Sequence, residues 1–295
     1  MKLNALYSIC GISKQGFHQW LDRELKRKEE QMQLMPIIMQ IRKGHPRLSC
    51  REIYYMISPN YVGRDRFEKF CFNNSLKVEC KKNRFKTTDS YGVKRFPNLL
   101  LEINELTGVN QLWVSDITYF TIGKRVYYLT FVMDVYSRKI VGYCASKSLR
   151  TTDTTLRAIK MSIHRRKLGK ESVTIIHSDG GGQYYCKEFT ALTNHYGMRN
   201  SMGKSAYENP FAERINGTIK NDYLIPYQPK TFKELEEMLT KAVYLYNTKR
   251  PHKSLKRLSP CEFEDSVNKG LLTKTRIINK KKKVSKKEKV NISII

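Results

Sequence analysis

The chain has 295 residues and carries 55 Lys and Arg against 27 Asp and Glu, a formal net charge of +28 at pH 7. Hydrophobic residues make up 40% of it, and no apolar run approaches the ~18 residues of a membrane span. These figures favour a globular protein with a polyanionic partner and argue against an integral membrane protein. Lys and Arg gain affinity for nucleic acid by displacing counterions from phosphates. A basic protein that is only soluble, or that binds acidic membranes, is the alternative.

The seven cysteines are widely scattered and form no C-x-x-C pair. A disulfide scaffold and a structural zinc site are both disfavoured, because zinc ligands usually come in closely spaced pairs. The N-terminus soon becomes charged and has no secretory signal pattern. We therefore expect a reduced, cytoplasmic protein that makes no contact with a membrane.

Residues 1–76 have the pattern of short helices. Helices are predicted at Leu3–Ile9, at Lys14–Leu21, at Cys50–Ile57 and at 64–74, with turns that contain Gly, Pro and Asn. The charged segment Arg23–Gln33 is predicted to be a helical connecting arm. Two helix-turn-helix-like units with basic helices predict a DNA-binding region. The alternative is a helical pair that only packs on the main domain.

From residue 103 the pattern alternates between strands and helices. Strands are predicted at 112–120, 126–134, 139–145 and 173–177, and helices at 151–168, 187–196, 209–220 and 231–247. Three antiparallel strands followed by helix, strand and helices is the order of an α/β, ribonuclease-H-like mixed sheet flanked by helices. We expect a basic linker at 77–102, a core at 103–266 and a basic, disordered tail at 267–295.

Three acidic residues stand in contexts that suit a functional site. Asp116 shares the face of its strand with Leu112 and Val114, where an unpaired carboxylate costs several kcal/mol unless it binds a metal. Asp179 ends an apolar strand just before three glycines, where ligands collect in sheet proteins. Glu213 lies on a predicted helix, and Lys220 follows on the same face two turns later.

Each of these residues also has a structural explanation. Asp116 suits a hydrogen bond to backbone at a sheet edge, and Asp179 suits a turn or a helix N-cap. Glu213 taken alone is an ordinary surface glutamate. Together, however, three carboxylates can hold two Mg²⁺ ions ~4 Å apart, which activate the attacking oxygen and stabilise the leaving one.

These contexts carry a family resemblance. The matching segments are Trp113-x-x-Asp116-Ile-Thr-Tyr, His177-Ser-Asp179-x-Gly-x-Gln183-Tyr, Asn209-x-x-x-Glu213, Lys220, Tyr246-Asn-x-x-Arg250-Pro-His252-x-x-Leu255 and Ser259-Pro260-x-x-Phe263. In this order they resemble the DDE transposases and integrases of the retroviral-integrase catalytic-core superfamily. The similarity is to the orfB-type transposases of bacterial insertion sequences in particular, and it extends to about residue 265.

The resemblance implies an integrase-type catalytic core with a C-terminal helix. It implies cutting at element ends and joining of the 3′-hydroxyl to target DNA. Asp116, Asp179 and Glu213 would be the catalytic triad and the ligands of two Mg²⁺ ions, with Mn²⁺ able to substitute, and Lys220 would contact the terminal DNA. Implied partners are double-stranded DNA, further copies of the chain assembled on DNA, and an upstream-frame product or fusion, in a nucleoid-associated bacterial protein.

Some features depart from the family pattern or need no catalytic explanation. The 33 residues between Asp179 and Glu213 are a slightly short spacing. Glu208 and Pro210 replace the family's usual Asp and Ala, and Pro210 suits the first turn of a helix. Asp134 is interpreted as a turn residue and His177 as a structural neighbour of the triad. Arg250 and His252 either pack against the final helix or touch DNA.

Two other functions fit the same residues. One is a structure-specific nuclease on the same fold, which would cut DNA without joining it. The other is a DNA-binding protein without catalysis, such as a repressor derived from a decayed element.

Overall fold

The computed structural model describes residues 7, 9–78, 96–203, 208–272 and 275–278. The chain divides into two units, Met1–Arg84 and Phe85–Ile295. Within the described ranges, no helix is both long enough and apolar enough to cross a lipid bilayer.

Among its described residues, the first unit has the helices α1 (Lys14–Gly44), α2 (Cys50–Ile57) and α3 (Arg64–Asn73). The hydroxyls of Ser13 and Ser49 cap α1 and α2 by accepting the backbone N–H groups three residues later. Helices α2 and α3 confirm the helices predicted at Cys50–Ile57 and 64–74. The division into a short helix at Lys14–Leu21 and a separate connecting arm at Arg23–Gln33 was wrong, because α1 is one helix of 31 residues with Pro36 inside it.

A small core holds this unit together. The C-terminal half of α1 contributes Leu34 and Ile38, α2 contributes Ile53, and α3 contributes Phe67 and Cys71, and all five side chains are buried. The N-terminal part of α1 has no buried residue. Burial of apolar surface therefore stabilises only the second half of α1, together with α2 and α3.

The second unit is built on a five-stranded mixed sheet. Its strands are β2 (Leu112–Ile122), β3 (Arg125–Asp134), β4 (Ile140–Ser146), β5 (Ile175–Ser178) and β6 (Arg199–Met202), in the spatial order β4-β3-β2-β5-β6. The first three pair antiparallel, while β5 is parallel to both β2 and β6. This confirms the ribonuclease-H-like α/β sheet. A separate short pair joins β1 (Glu105–Leu106) to β7 (Arg276–Ile277).

Helices cover both faces of the sheet. They are α4 (Thr155–Arg166), α5 (Lys187–His195), α6 (Pro210–Thr218), α7 (Phe232–Thr248) and α8 (Pro260–Asn268). Alternate residues of β2 point to opposite faces. Leu112 and Val114 belong to a core cluster that includes residues of α6, α7 and α8, whereas Trp113 belongs to a second cluster with residues of α4 and α5. The central strand is thus enclosed by apolar side chains on both sides.

The boundaries of the core differ from those expected. Leu99 and Leu100, at the end of the expected linker, are buried in the first core cluster, so the packed core begins before residue 103. At the other end, Leu272 and Ile278 pack against the same cluster, within the segment expected to be a disordered tail. The segment ahead of the lysine run is packed because it contains apolar residues that can be buried. Residues 79–95 of the linker and 279–295 of the tail lie outside the described residues.

A buried ionic cluster links α8 to the sheet and to α4. Glu264 accepts hydrogen bonds from Lys139 Nζ at 2.8 Å and from Arg166 Nη1 at 3.0 Å, and Arg166 also lies 3.6 Å from Asp134. Burial alone raises the pKa of Glu264, but Arg166 outweighs it and holds the pKa below its usual value. Asp134 accepts the backbone N–H groups of Tyr136 and Ser137, as its turn interpretation predicted.

Gly142 on β4 lies unusually close to α4. A Cβ built there would be 2.1 Å from both the Ala158 carbonyl oxygen and Ser162 Oγ. We expect Gly142→Ala to lower the free energy of unfolding by about 1–3 kcal/mol, because strand and helix must move apart. Urea unfolding measures this, with Gly108→Ala as control, because no atom lies within 4 Å of a Cβ there. Equal stability of the two variants would contradict the close packing.

Candidate active site

Asp116 lies in the middle of β2, on the side of the sheet that α6 contacts. Its Oδ1 accepts the backbone N–H of Ile117 at 2.9 Å, and its Oδ2 accepts Nδ2–H of Asn216 at 2.7 Å. Burial, and after it the charges of Asp179 and Glu213, raise the pKa of Asp116 to about 7. Asp116 therefore lies within electrostatic range of both other predicted carboxylates.

Asp179 follows the last residue of β5 directly. Val114 pairs with His177 in the parallel ladder between β2 and β5, so continuing the register by two residues brings Asp179 level with Asp116. Neighbouring strands are about 4.8 Å apart. Asp179 Oδ1 accepts the N–H of Gly181 at 3.1 Å, and burial raises the pKa of its carboxyl group. Asp179 is therefore both a turn residue, through its hydrogen bond to Gly181, and a neighbour of Asp116.

Glu213 lies in the first turn of α6 and is exposed. Pro210 occupies the start of this helix, as expected. Just before it, Asn209 Nδ2 donates to the Ser115 carbonyl at 3.0 Å, which ties the start of α6 to the residue next to Asp116. The helix thereby brings Glu213 within electrostatic range of Asp116.

Lys220 lies beyond the end of α6. The predicted helix over 209–220 changes after Thr218 into a wider, π-helical stretch, Ile219–Leu224. Lys220 Nζ donates to Thr118 Oγ1 at 3.2 Å and lies 4.9 Å from the centre of the Tyr119 ring. Burial lowers its pKa, and the charge of Asp116 acts in the opposite direction. Lys220 thus contacts β2 at Thr118, which is two residues from Asp116 and on the same face of the strand.

Of two asparagines at the site, Asn209 was noted from the sequence only as part of the family motif, and Asn216 was not noted. Asn216 and Asn209 are both buried, and the Oδ1 atom of each has no hydrogen-bond partner among the described residues. Asn216 follows Glu213 by three residues and so projects from the same side of α6. That spacing was the one available signal. An unpaired buried oxygen beside carboxylates is a further hard ligand for a cation or for a water bound to one.

Three other residues singled out in the sequence contact neighbouring side chains. His177 is fully buried, its Nδ1 lies 2.9 Å from Ser201 Oγ, and burial lowers its pKa to about 4. Arg250 donates to Asp222 Oδ2 at 2.6 Å, and the ring of His252 lies 4.8 Å from that of Tyr246. All three have packing partners within the second unit.

Comparisons with known proteins identify the family of the chain. Residues 107–207 match the integrase core domain family, and residues 196–260 match a second integrase core domain family. The "Insertion element IS600 uncharacterized 31 kDa protein" of Shigella sonnei is 28% identical over 271 residues, covering 88% of this chain and 97% of that protein. This chain belongs to the insertion-sequence transposases of the integrase superfamily.

A second relative of this transposase is the "Transposase for insertion sequence element IS904" of Lactococcus lactis. It is 32% identical over 174 residues, covering 57% of this chain and 66% of that protein. Among solved structures, the HTLV-2 integrase catalytic core in complex with magnesium is 22% identical over 52% of this chain and 96% of that chain, with a TM-score of 0.44. The enzyme is a DDE-type polynucleotidyl transferase whose activity serves transposition and DNA integration.

Enzymes with this core depend in general on divalent metal ions, and the donor set of the transposase suits them. Carboxylate and amide oxygens are the hard ligands that Mg²⁺ prefers. A cation would also offset the repulsion that raises the pKa of Asp116. Within the part of the chain that the structure describes, which includes all three carboxylates, no three His, Cys, Asp or Glu side chains are arranged closely enough to hold a metal ion.

Proposed function

We propose that this transposase cuts DNA at the ends of its insertion element and joins the resulting 3′-hydroxyl to target DNA. Asp116, Asp179 and Glu213 would be the catalytic carboxylates and would hold two Mg²⁺ ions, for which Mn²⁺ can substitute. The observation that supports the proposal is that Asp179 directly follows β5, the parallel neighbour of β2, and that the charges of Asp179 and Glu213 act on Asp116.

The residues around the carboxylates have separate tasks in this proposal. When bound, the metal ions supply Lewis-acid activation of the attacking oxygen and charge stabilisation at the leaving one. Asn216 holds the Asp116 carboxylate in place through its 2.7 Å hydrogen bond. Lys220 neutralises a phosphate next to the scissile bond. The nucleophile is water in cleavage and the DNA 3′-hydroxyl in strand transfer.

The remaining parts of the proposal concern partners. The helical region at 1–76 would bind double-stranded DNA, and several copies of the chain would assemble on the paired element ends. An upstream-frame product or fusion would act together with the chain in a nucleoid-associated bacterial setting. The charge of +28 supports the DNA contacts, because a polyanion relieves the repulsion among so many cations.

A labelled duplex carrying the element end tests the proposed reaction. With Mg²⁺ and a target plasmid, we expect nicked ends and end–plasmid joint molecules, both absent when EDTA replaces Mg²⁺. Cutting without joint molecules would favour a structure-specific nuclease. Binding without cutting would favour a DNA-binding protein and overturn the proposal.

Lys220→Ala should weaken binding of the element-end duplex. Loss of one phosphate contact lowers the slope of log affinity against log salt concentration by about 1. Fluorescence anisotropy at several salt concentrations measures this slope. Lys249→Ala, which removes an exposed lysine at the far end of α7, is the matched control. An unchanged slope for Lys220→Ala would remove Lys220 from the DNA contact.

A further inference from the structure

A basic groove lies at the turn between β2 and β3, away from the carboxylates. It consists of two adjoining depressions of about 690 and 790 Å³, which share Ile122 and Lys230 in their walls. We call them together the hairpin groove. Gly123, with φ +57°, forms the tight turn that closes this end of the hairpin.

The charged residues that line the hairpin groove are all cations. They are Lys124, Arg125, Lys147, Lys220 and Lys230. All except Lys220 are exposed, and within the described ranges none of the five takes part in an ion pair with an acidic side chain. Clustered like charges without counterions repel one another, and a polyanion laid across them removes that repulsion.

One wall of the groove is held in place by ring packing. Lys147 Nζ lies 5.0 Å from the centre of the Phe232 ring, and Phe232 stacks on Tyr127 with 5.2 Å between ring centres. Tyr127 is buried. The Lys147 ammonium group is therefore positioned before any ligand arrives, which lowers the entropy lost on binding.

The groove extends in one direction from Asp116. From Asp116 to Ile122 the strand β2 rises about 20 Å, and Lys220 stands along the way beside Thr118. In the opposite direction, Leu112 and Val114 are buried. About 20 Å is the length of roughly six base pairs of B-DNA.

We propose that the hairpin groove binds the phosphate backbone of the element-end duplex about six base pairs from the reacting phosphodiester. This rests on the proposed function, because it takes that phosphodiester to lie at Asp116. The direction of the groove favours the element end over target DNA. A duplex that ends at the reaction centre extends to one side only, whereas a target duplex is attacked in its interior and continues on both sides.

The test variant is the full chain with Lys124→Gln, Arg125→Gln and Lys230→Gln. The control variant carries Lys160→Gln, Lys170→Gln and Lys249→Gln, which remove the same charge from exposed positions elsewhere in the second unit. The probe is a duplex of the terminal 20 base pairs of the element, read from the repeats that flank the gene. We measure the slope of log affinity against log salt concentration, which is negative. We expect its magnitude to fall by about 2.7 in the test variant and by less than about 1 in the control variant.

Neutral methylphosphonate groups, placed one at a time in the probe, locate the contact. We expect the wild-type chain to lose affinity when the group is about five to seven base pairs from the end, and the test variant to lose none there. Both should still lose affinity when the group is at the terminus. Equal sensitivity of the two chains at five to seven base pairs, or equal salt slopes for the test and control variants, would overturn the proposal.

Three further outcomes distinguish failure of the groove proposal from failure of the triad assignment. If a methylphosphonate group lowers the affinity for a target duplex and does not lower the affinity for the element end, the assignment to the element end is overturned. If the groove proposal alone fails, the test variant still cuts and joins ends as the wild type does. If the triad assignment alone fails, the binding differences persist while triad variants remain active. Unchanged thermal unfolding of both variants shows that the substitutions leave the fold intact.

Discussion

Asp116→Asn is expected to lower the rates of element-end cleavage and joining by about 10³-fold or more, without weakening the fold. Removal of one group that stabilises developing charge at a reaction centre typically costs about 10²–10³-fold, and a lost metal ligand adds to that. The raised pKa of Asp116 means that its ionised form is unfavourable in the folded chain without a cation. The neutral amide should therefore leave the thermal unfolding midpoint unchanged or raise it.

The opposite signs of these two effects distinguish a functional carboxylate from a structural one. A residue whose main task is to hold the fold loses stability and activity together. Gel assays of end cleavage, combined with thermal unfolding, measure both quantities on the same preparation. Asp265→Asn, at an exposed position on α8, is the control and should change neither. Cleavage by Asp116→Asn at the wild-type rate would remove Asp116 from the reaction.

Glu264→Ala should lower the free energy of unfolding by about 3–5 kcal/mol, which is the usual effect of removing one partner from a buried ion pair. The side chain of Glu264 is only 7% exposed and that of Arg166 12%. Without Glu264, Lys139 loses its hydrogen-bond partner, and Arg166 keeps only the more distant Asp134. The substitution leaves buried cations between α4, α8 and the sheet.

Urea unfolding measures this loss, and Glu102→Ala provides the control. Glu102 pairs with Arg199 at 3.9 Å, and the two side chains are 68% and 56% exposed. An exposed pair contributes about 1 kcal/mol or less. If Glu264→Ala were no more destabilising than Glu102→Ala, the buried cluster would not hold α8 in place.

The antiparallel half of the sheet could be predicted because its strands have a local signal. β2 and β3 are long, rich in β-branched and aromatic residues, and separated by a two-residue turn with Gly123. The edge strand β6 has the sequence Arg-Asn-Ser-Met and no such pattern. It forms because parallel pairing with β5 satisfies its backbone, and pairing between distant segments is not encoded locally.

The three carboxylates of the candidate site were singled out from the sequence, and most of the residues that contact them were not. Asp116 stands within a strand, where a charge is unexpected, and Asp179 directly follows an apolar strand and precedes three glycines, which drew attention to them. Asn209 was noted only as part of the family motif and Asn216 was not noted, because their hydrogen bonds to Ser115 and Asp116 form only when α6 packs on β2. The partnership of Lys139 with Glu264 spans 125 residues and likewise depends on tertiary packing.

The most direct test of a carboxylate-held metal ion is to exchange the ligand and the metal together. Asp179→Cys replaces a hard oxygen with a soft sulfur, which Mg²⁺ binds poorly and Mn²⁺ accepts more readily. The account predicts that end cleavage and joining by Asp179→Cys are lost in Mg²⁺ and partly regained in Mn²⁺, with the wild type active in both. Wild-type rates for Asp179→Cys in Mg²⁺ would contradict the assignment of Asp179 as a metal ligand.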